Sequence, residues 1–214
     1  ELYSSDAAGM ADNKVKVHPD LSFGETVNSA VLRTTGSLRV VYKTSGGGIS
    51  QIFSADPAVA QMPGRVSRIP VGAGTMNGFQ LSNAQDRVVY TGSVFDDVLF
   101  DLFNGCVDFV AQPVGPVPAP VTPPPTPGDG IIDIACPVIH LSKIAWPRVA
   151  HTINDNEVRL STDDTWVVFL ADSNGVSGAV KELWSVPLTG AAPPTKINKA
   201  LTKAASTVSD FQIT

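Results

Sequence analysis

The chain has 214 residues, enough for one or two domains, and its 43 % of hydrophobic residues can supply a core, which excludes global disorder. Its 18 glycines and 17 prolines exceed the usual share of turn-forming residues and disfavour long helices. The formal net charge of −5 offers no basic surface to a phosphate backbone, so no nucleic-acid partner is expected. No apolar run reaches the roughly 18 residues that a membrane span needs, so no span is expected.

A motif of leucine, a polar turn and a Val-Val-aromatic run occurs three times. It reads LSNAQDRVVY at 81–90 and LSTDDTWVVF at 160–169, with a looser copy, LRTTGSLRVVY, at 32–42. The Asn, Asp, Ser and Thr residues favour tight turns, and the β-branched and aromatic residues favour buried strands. The motif therefore predicts three β-hairpins with blade cores at 40–42, 88–90 and 167–169.

Further strands are predicted after each hairpin. Third strands share an apolar-aromatic-polar pattern, at 51–54, 101–104 and 182–185, with a copy opening the chain at 1–4. Weaker fourth strands follow at 65–70 and 195–198, with an opening copy at 15–17. In the middle repeat, 107–110 is an alternative third strand. Four strands in a repeat of about 50 residues indicate a β-propeller blade.

The motif resembles a known family. Leu-Ser, a polar turn and Val-Val-aromatic at 160–169, followed by Glu-Leu-aromatic-Ser-Val-Pro-Leu-x-Gly at 182–190, is similar to the TolB-type, WD40-like β-propeller repeat. The resemblance covers most of the chain except 105–150. It implies blades around a central channel and an extracellular or periplasmic location. The usual Ser-Pro-Asp-Gly turn is replaced by SNAQD at 82–86 and STDD at 161–164.

The predicted architecture is all-β, with about 3.75 blades of four antiparallel strands. The predicted units are a half-blade with strands C and D at 1–27, a blade at 28–77, a blade at 78–151 with a Pro-rich insertion at about 112–130, a blade at 152–206, and the first strand of an incomplete blade at 207–214. We expect a piece of a larger propeller, completed by the rest of the same propeller or by another subunit. A self-contained, irregular four-bladed ring is the alternative.

The Pro-rich insertion carries the predicted interaction residues. Its two flanking cysteines, Cys106 and Cys136, are disulfide candidates, and two reduced, buried cysteines are the alternative. A bond between them would close a loop of about 30 residues and stabilise the fold by about 3 kcal/mol in the chain-entropy model. An extended proline segment loses little entropy when it docks. The interaction candidates are Pro113, Pro123, Pro124, Pro125 and Trp146.

The sequence predicts no catalytic constellation and no cofactor. His18, His140 and His151 lack the spacing of metal ligands and are expected to be isolated and partly exposed. No G-x-S-x-G turn is present, which argues against a serine hydrolase. Trp166 and Trp184 are expected in the core.

No metal site is predicted either. The adjacent carboxylates Asp163 and Asp164 are expected to face water in a turn. Weak calcium candidates are the oxygen-bearing side chains of two loops, Asp172, Asn174, Asp129 and Asp133.

The favoured function is that of a non-enzymatic structural or protein-interaction propeller segment in a larger secreted or surface assembly. Two alternatives remain open. The first is a propeller domain that gates or accompanies a hydrolase or peptidase encoded elsewhere, and the second is a propeller that binds carbohydrate or another small ligand. The expected partners are other protein subunits or the remainder of the same propeller.

Overall fold

The computed structural model describes residues 1–5, 14–58, 63–67, 75–93, 101–108, 138–142, 153, 157–172, 180–199, 201 and 207–213. Its strands form three four-stranded antiparallel sheets and one two-stranded sheet. The prediction of an all-β chain built from blade-like sheets is confirmed to that extent. In these ranges no helix has the length and apolarity to cross a membrane.

The strands follow chain order within each sheet. The two-stranded sheet pairs β1 (Tyr3–Ser4) with β2 (Val15–Lys16). Sheet I contains β3 (Thr26–Arg33), β4 (Arg39–Gly46), β5 (Ile49–Ala55) and β6 (Gly64–Arg65). Sheet II contains β7 (Met76–Leu81), β8 (Arg87–Gly92), β9 (Asp101–Cys106) and β10 (Ile139–His140). Sheet III contains β11 (Val158–Leu160), β12 (Trp166–Asp172), β13 (Lys181–Pro187) and β14 (Thr195–Lys196).

The third strand of sheet II is β9, which confirms the prediction at 101–104 over the alternative at 107–110. Its fourth strand, β10, was not predicted. This strand has two residues and follows the Pro-rich segment, so it leaves no alternating pattern in the sequence. The fourth strands of sheets I and III are equally short.

The Val-Val-aromatic motif is explained by sheets that are covered on both faces. Adjacent side chains of a strand point to opposite faces. In sheet I, Val40 and Tyr42 pack toward the two-stranded sheet with Val17, whereas Val41 packs toward sheet II with Val88. In sheet II, the first valine and the aromatic face sheet I, and the second valine faces sheet III. One motif therefore provides apolar surface to two neighbouring sheets.

The described residues form three hydrophobic core clusters, each between consecutive sheets. One joins the two-stranded sheet to sheet I, one joins sheet I to sheet II, and one joins sheet II to sheet III. Burying each large apolar side chain contributes about 1.5–3 kcal/mol. Across the described ranges no cluster joins the two-stranded sheet to sheet III. The described sheets therefore form an open series, and a closed ring is not seen.

Sheets I and II also meet through close backbone contacts. A Cβ at Gly105 would lie 2.7 Å from Val66 Cγ1 and 2.9 Å from Val66 O, so the glycine permits this approach. Nearby, the buried hydroxyl of Ser54 donates to Val107 O at 2.7 Å. These contacts connect the end of β9 with β5 and with the residue that follows β6.

An ion pair links the same two sheets. The Arg33 side chain is 7 % exposed and donates to the carboxylate of Asp108, which also accepts from Ser37 Oγ at 2.8 Å. The hydrogen bond from Arg33 lowers the pKa of Asp108. Because the folded-state pKa is depressed, the pair stabilises fully above the carboxyl's unfolded-state pKa. This stabilisation is lost as the pH falls through the folded-state value.

We predict that Asp108→Asn lowers the free energy of unfolding at neutral pH by about 1–2 kcal/mol, because Arg33 stays buried without an anion. The value is kept small because half of the Asp108 side chain is exposed. The loss should shrink at about pH 3, below the usual aspartate pKa of about 3.9, because the unfolded state then binds protons that the depressed folded-state pKa disfavours. Urea denaturation at both pH values measures it.

The control is Asp20→Asn, since Asp20 pairs with Lys16 while its own side chain is 87 % exposed. This change should cost less than about 0.5 kcal/mol. Equal losses in the two variants at neutral pH would contradict a stabilising role for the Arg33 pair.

Candidate functional site

The turns between the first two strands of the three sheets each contain one residue with a positive φ angle. Gly36, Gln85 and Asp164 occupy equivalent positions, and their φ angles are 69°, 58° and 56°. This left-handed region favours glycine and is less favourable for a residue with a side chain. Two of the three turns nevertheless carry a long or charged side chain there, which requires a compensating interaction.

Gln85 makes that interaction between sheets I and II. Its Oε1 accepts from the backbone N of Thr34 at 2.7 Å and of Thr35 at 3.3 Å. The Thr35 hydroxyl also donates to Ala84 O at 2.8 Å. The side chain in the left-handed position of sheet II therefore receives two backbone N–H groups from the turn of sheet I.

Asp164 repeats the contact between sheets II and III. Its Oδ1 accepts from the backbone N of Asn83 at 2.8 Å, and its Oδ2 accepts from that of Ala84 at 2.6 Å. The expectation that Asp164 only faces water is wrong, because sheet packing brings the turn of sheet II against it. The pattern has a direction, since each acceptor binds the turn of the preceding sheet.

Asp163 has a different task within its own turn. Its Oδ1 accepts from Ser161 Oγ at 2.6 Å, from Thr165 Oγ1 at 2.8 Å and from Thr165 N at 3.1 Å. These hydrogen bonds, that of Ser161 foremost, lower the pKa of Asp163 to about 2. The carboxylate fixes the turn and leaves the contact with sheet II to Asp164.

The outer face of sheet III, defined by Trp166, Val168, Leu170, Leu183 and Ile197, faces away from sheet II, and Leu170 within it is 2 % exposed. Strand alternation places Trp166 and Val168 on the side opposite to Val167, which packs in the cluster with sheet II. Trp166 is 46 % exposed and Ile197 is 50 % exposed. The expectation of a core position for Trp166 is therefore wrong.

Two residues of this outer face have equivalents that are fully covered in the other sheets. Val168 and Leu183, both half-buried, are cross-sheet equivalents of Val41 and Ile52 in sheet I. Val41 and Ile52 are 0 % exposed because sheet II packs on them. Their equivalents in sheet II are Val89 and Leu102. These residues are 1 % and 0 % exposed because sheet III covers them.

Residues 207–213 lie along part of sheet III. Val208 N donates to Lys181 O at 3.0 Å, and the Arg159 guanidinium lies 5.9 Å from the ring centre of Phe211. No strand pairing involves 207–213. Trp166 and Ile197 keep their exposure with this segment in place.

Most predicted site residues lie outside the described residues. Cys106, in β9, is disulfide-bonded. Its predicted pairing with Cys136 stays a prediction. Asp172 pairs with Lys181 at the end of β12 through its backbone. In the described part of the chain no three His, Cys, Asp or Glu residues come together to hold a metal. The residues named in predictions that lie outside it are Cys136, Pro113, Pro123, Pro124, Pro125, Asp129, Asp133, Trp146, His151 and Asn174.

The described histidines depart from expectation in different ways, since His18 is not partly exposed, whereas His140 is partly exposed but not isolated. His18 is fully buried, with Nδ1 2.6 Å from Pro19 O. His140 stacks on Phe103 at 4.8 Å, and its Nε2 lies 3.2 Å from Asp101 Oδ1. The cluster around His140 joins β9 to β10. Sequence reasoning missed it because β10 was not predicted.

This cluster includes a serine but lacks the geometry of a catalytic triad. Ser142 Oγ lies 3.2 Å from His140 Nε2 and donates to Asp101 Oδ1 at 3.0 Å. A triad places the serine and the aspartate on opposite ring nitrogens, whereas here both lie beside the same one. The Ser142 hydroxyl also accepts from Leu102 N at 2.9 Å, which is a structural contact between the strands.

A scan against protein-family models finds no match for this chain, and a search of the curated proteins finds none. The turn contacts and the outer face of sheet III are the features of the molecule that indicate a function.

The role of Asp164 can be tested with three substitutions. Asp164→Asn tolerates the left-handed conformation but keeps only one of the two acceptor oxygens, so it should cost about 0.5–1 kcal/mol. Asp164→Ala loses the acceptor and keeps the backbone strain, and should cost about 1–2 kcal/mol. Asp164→Gly relieves the strain without replacing the acceptor, so it should lie between the two. Urea denaturation measures all three, and a glycine variant as stable as the asparagine variant would contradict the acceptor role.

Proposed function

We propose that this chain is a segment of a TolB-type, WD40-like β-propeller that serves as a non-enzymatic scaffold for protein interaction in a larger secreted or surface assembly. The observation that carries the proposal is the outer face of sheet III. Its valine and leucine occupy the positions through which sheets I and II bind the sheet that follows them. Trp166 and Ile197 beside them are exposed, and exposed apolar surface of this kind marks an interaction site.

The occupant we propose is a further four-stranded sheet, supplied by another subunit or by the rest of the propeller. Sheets I and II each present an apolar face and two turn N–H groups to the next sheet. In sheet III the equivalent N–H groups belong to Thr162 and Asp163, both exposed. The chemistry that completes the pattern is an apolar sheet face with Asp, Asn, Glu or Gln in its left-handed turn position.

A second copy of this chain fits this requirement less well. If it presented sheet I, its left-handed position would be Gly36, which has no side chain to accept the two N–H groups. The turn contact would then be lost, and only the apolar contact would remain. A sheet with different turn residues is therefore the favoured partner.

The proposed compartment is extracellular or periplasmic. The disulfide bond of Cys106 supports it, because disulfides persist in oxidising compartments and are rare in the cytosol. The family resemblance points the same way. Both arguments concern where the assembly works and are independent of the outer face of sheet III.

Site-specific photo-crosslinking in the producing cells tests the proposed partner. Benzoylphenylalanine at position 166 should form an adduct whose crosslinked peptide belongs to a strand–turn–strand segment. The control is the same group at position 23, since Phe23 is fully exposed and lies outside the sheets. It should give no such adduct. Absence of an adduct at 166, equal adducts at both positions, or a crosslinked peptide that is not part of a β-sheet would contradict the proposal.

A further inference from the structure

A cavity of about 490 Å³ lies where the first strands of sheets I, II and III approach one another. It is lined by residues of β3, β7 and β11, each of which is the edge strand of its sheet, and by parts of β4, β8 and β9. The register of β7 shifts between Met76 and Phe79, so the backbone is irregular along this wall. The volume is within the range of sites for small organic molecules.

The described wall of the cavity carries positive charge and no acidic side chain. Lys43 and Arg159 line it. The Lys43 ammonium donates to Asn77 O at 2.5 Å and to Met76 O at 3.4 Å, and no described carboxylate pairs with it. Two carbonyl oxygens leave its charge uncompensated, which favours an anion nearby. Arg159 is exposed and donates to Val158 O at 2.8 Å.

Thr91 lines the same cavity and carries an unsatisfied polar group beneath the cavity wall. The residue is 1 % exposed, and its hydroxyl is buried with no hydrogen-bond partner among the described residues. A buried hydroxyl without a partner costs about 1–3 kcal/mol. Such a group is uncommon in a folded protein unless a bound molecule or water satisfies it.

The rest of the described wall is mainly apolar. Val31, Phe79 and Leu102 contribute to it, and Leu102 is fully buried. This surface favours a ligand with a hydrocarbon or aromatic body over a sugar, whose hydroxyls need more polar partners. Charge and apolarity together therefore select an amphipathic anion.

We propose that this cavity binds a small organic carboxylate with an apolar body. Lys43 provides the cation for the carboxylate, and Phe79 contacts the apolar body. The Thr91 side chain rotates to bring its buried hydroxyl to the ligand as a hydrogen-bond donor. The site is distinct from the outer face of sheet III, and either one can exist without the other.

Calorimetric titration of the full chain with phenylbutyrate tests the proposal, and phenylbutanol is the neutral control. The acid should bind at a single site at least about tenfold more tightly than the alcohol. Lys43→Met should weaken binding of the acid by at least about tenfold and leave the alcohol unchanged. A Phe-terminated tripeptide as free acid and as amide distinguishes a peptide C-terminus from a free organic acid as the natural source.

Thr91→Val separates binding from structure. It removes an unsatisfied buried hydroxyl, so the melting temperature should hold or rise, while affinity for the acid should fall severalfold. If Lys43→Met does not fold, the salt dependence of binding to the unmodified protein still tests the proposal. Raising the salt concentration from about 0.05 M to about 0.5 M should then weaken binding of the acid and leave binding of the alcohol unchanged. No saturable binding of the acid, equal binding of acid and alcohol, or unchanged affinity in folded Lys43 and Thr91 variants would overturn the proposal.

Discussion

The structure depends on burying apolar side chains on both faces of each four-stranded sheet. In β4 and β8, consecutive residues are buried, although neighbouring side chains point to opposite faces. A strand of this kind gains its full hydrophobic stabilisation only when another sheet lies on each side. The three clusters between consecutive sheets show how the chain meets this requirement. The outer face of sheet III carries the same pattern, with Trp166 and Ile197 left exposed.

The turns use a second constraint, which gives the series its order. A side chain in the left-handed region costs about 1–3 kcal/mol, so glycine would be the conservative choice. Gln85 and Asp164 instead accept backbone N–H groups from the turn of the preceding sheet. Gln85 and Asp164 therefore have a structural role in these turns. The hydrogen bonds that these side chains accept from the preceding sheet offset the strain of the left-handed backbone. They also make the packing between sheets more specific than apolar contacts alone would.

Much of the fold could be predicted from the sequence, because the hairpin motif and its aromatic third strands are local patterns. The positions of β4, β8, β9 and β12 follow from them. The sequence could not show which face of β12 lacks a neighbour, so the exposure of Trp166 was missed. The contact of Asp164 was missed for a similar reason, because its partners are about 80 residues away and are brought near only by sheet packing.

The cluster at His140 and the cavity beside β7 also depend on distant contacts. His140 reaches Asp101 through the pairing of β10 with β9, and the cavity combines residues from all three four-stranded sheets. The composition shows few charged residues overall. It does not show that Lys43 lies in a cavity wall whose described residues include no acidic side chain. Both groups of residues come together only when the strands and sheets pack.

The most direct measurement is hydroxyl-radical footprinting of Trp166 in the native assembly and in the isolated chain, with exposed Phe23 as the internal reference. If a further sheet covers the outer face of sheet III, oxidation of Trp166 falls sharply in the assembly while that of Phe23 stays the same. Equal oxidation of Trp166 in both states would contradict the claim that this face is an interface.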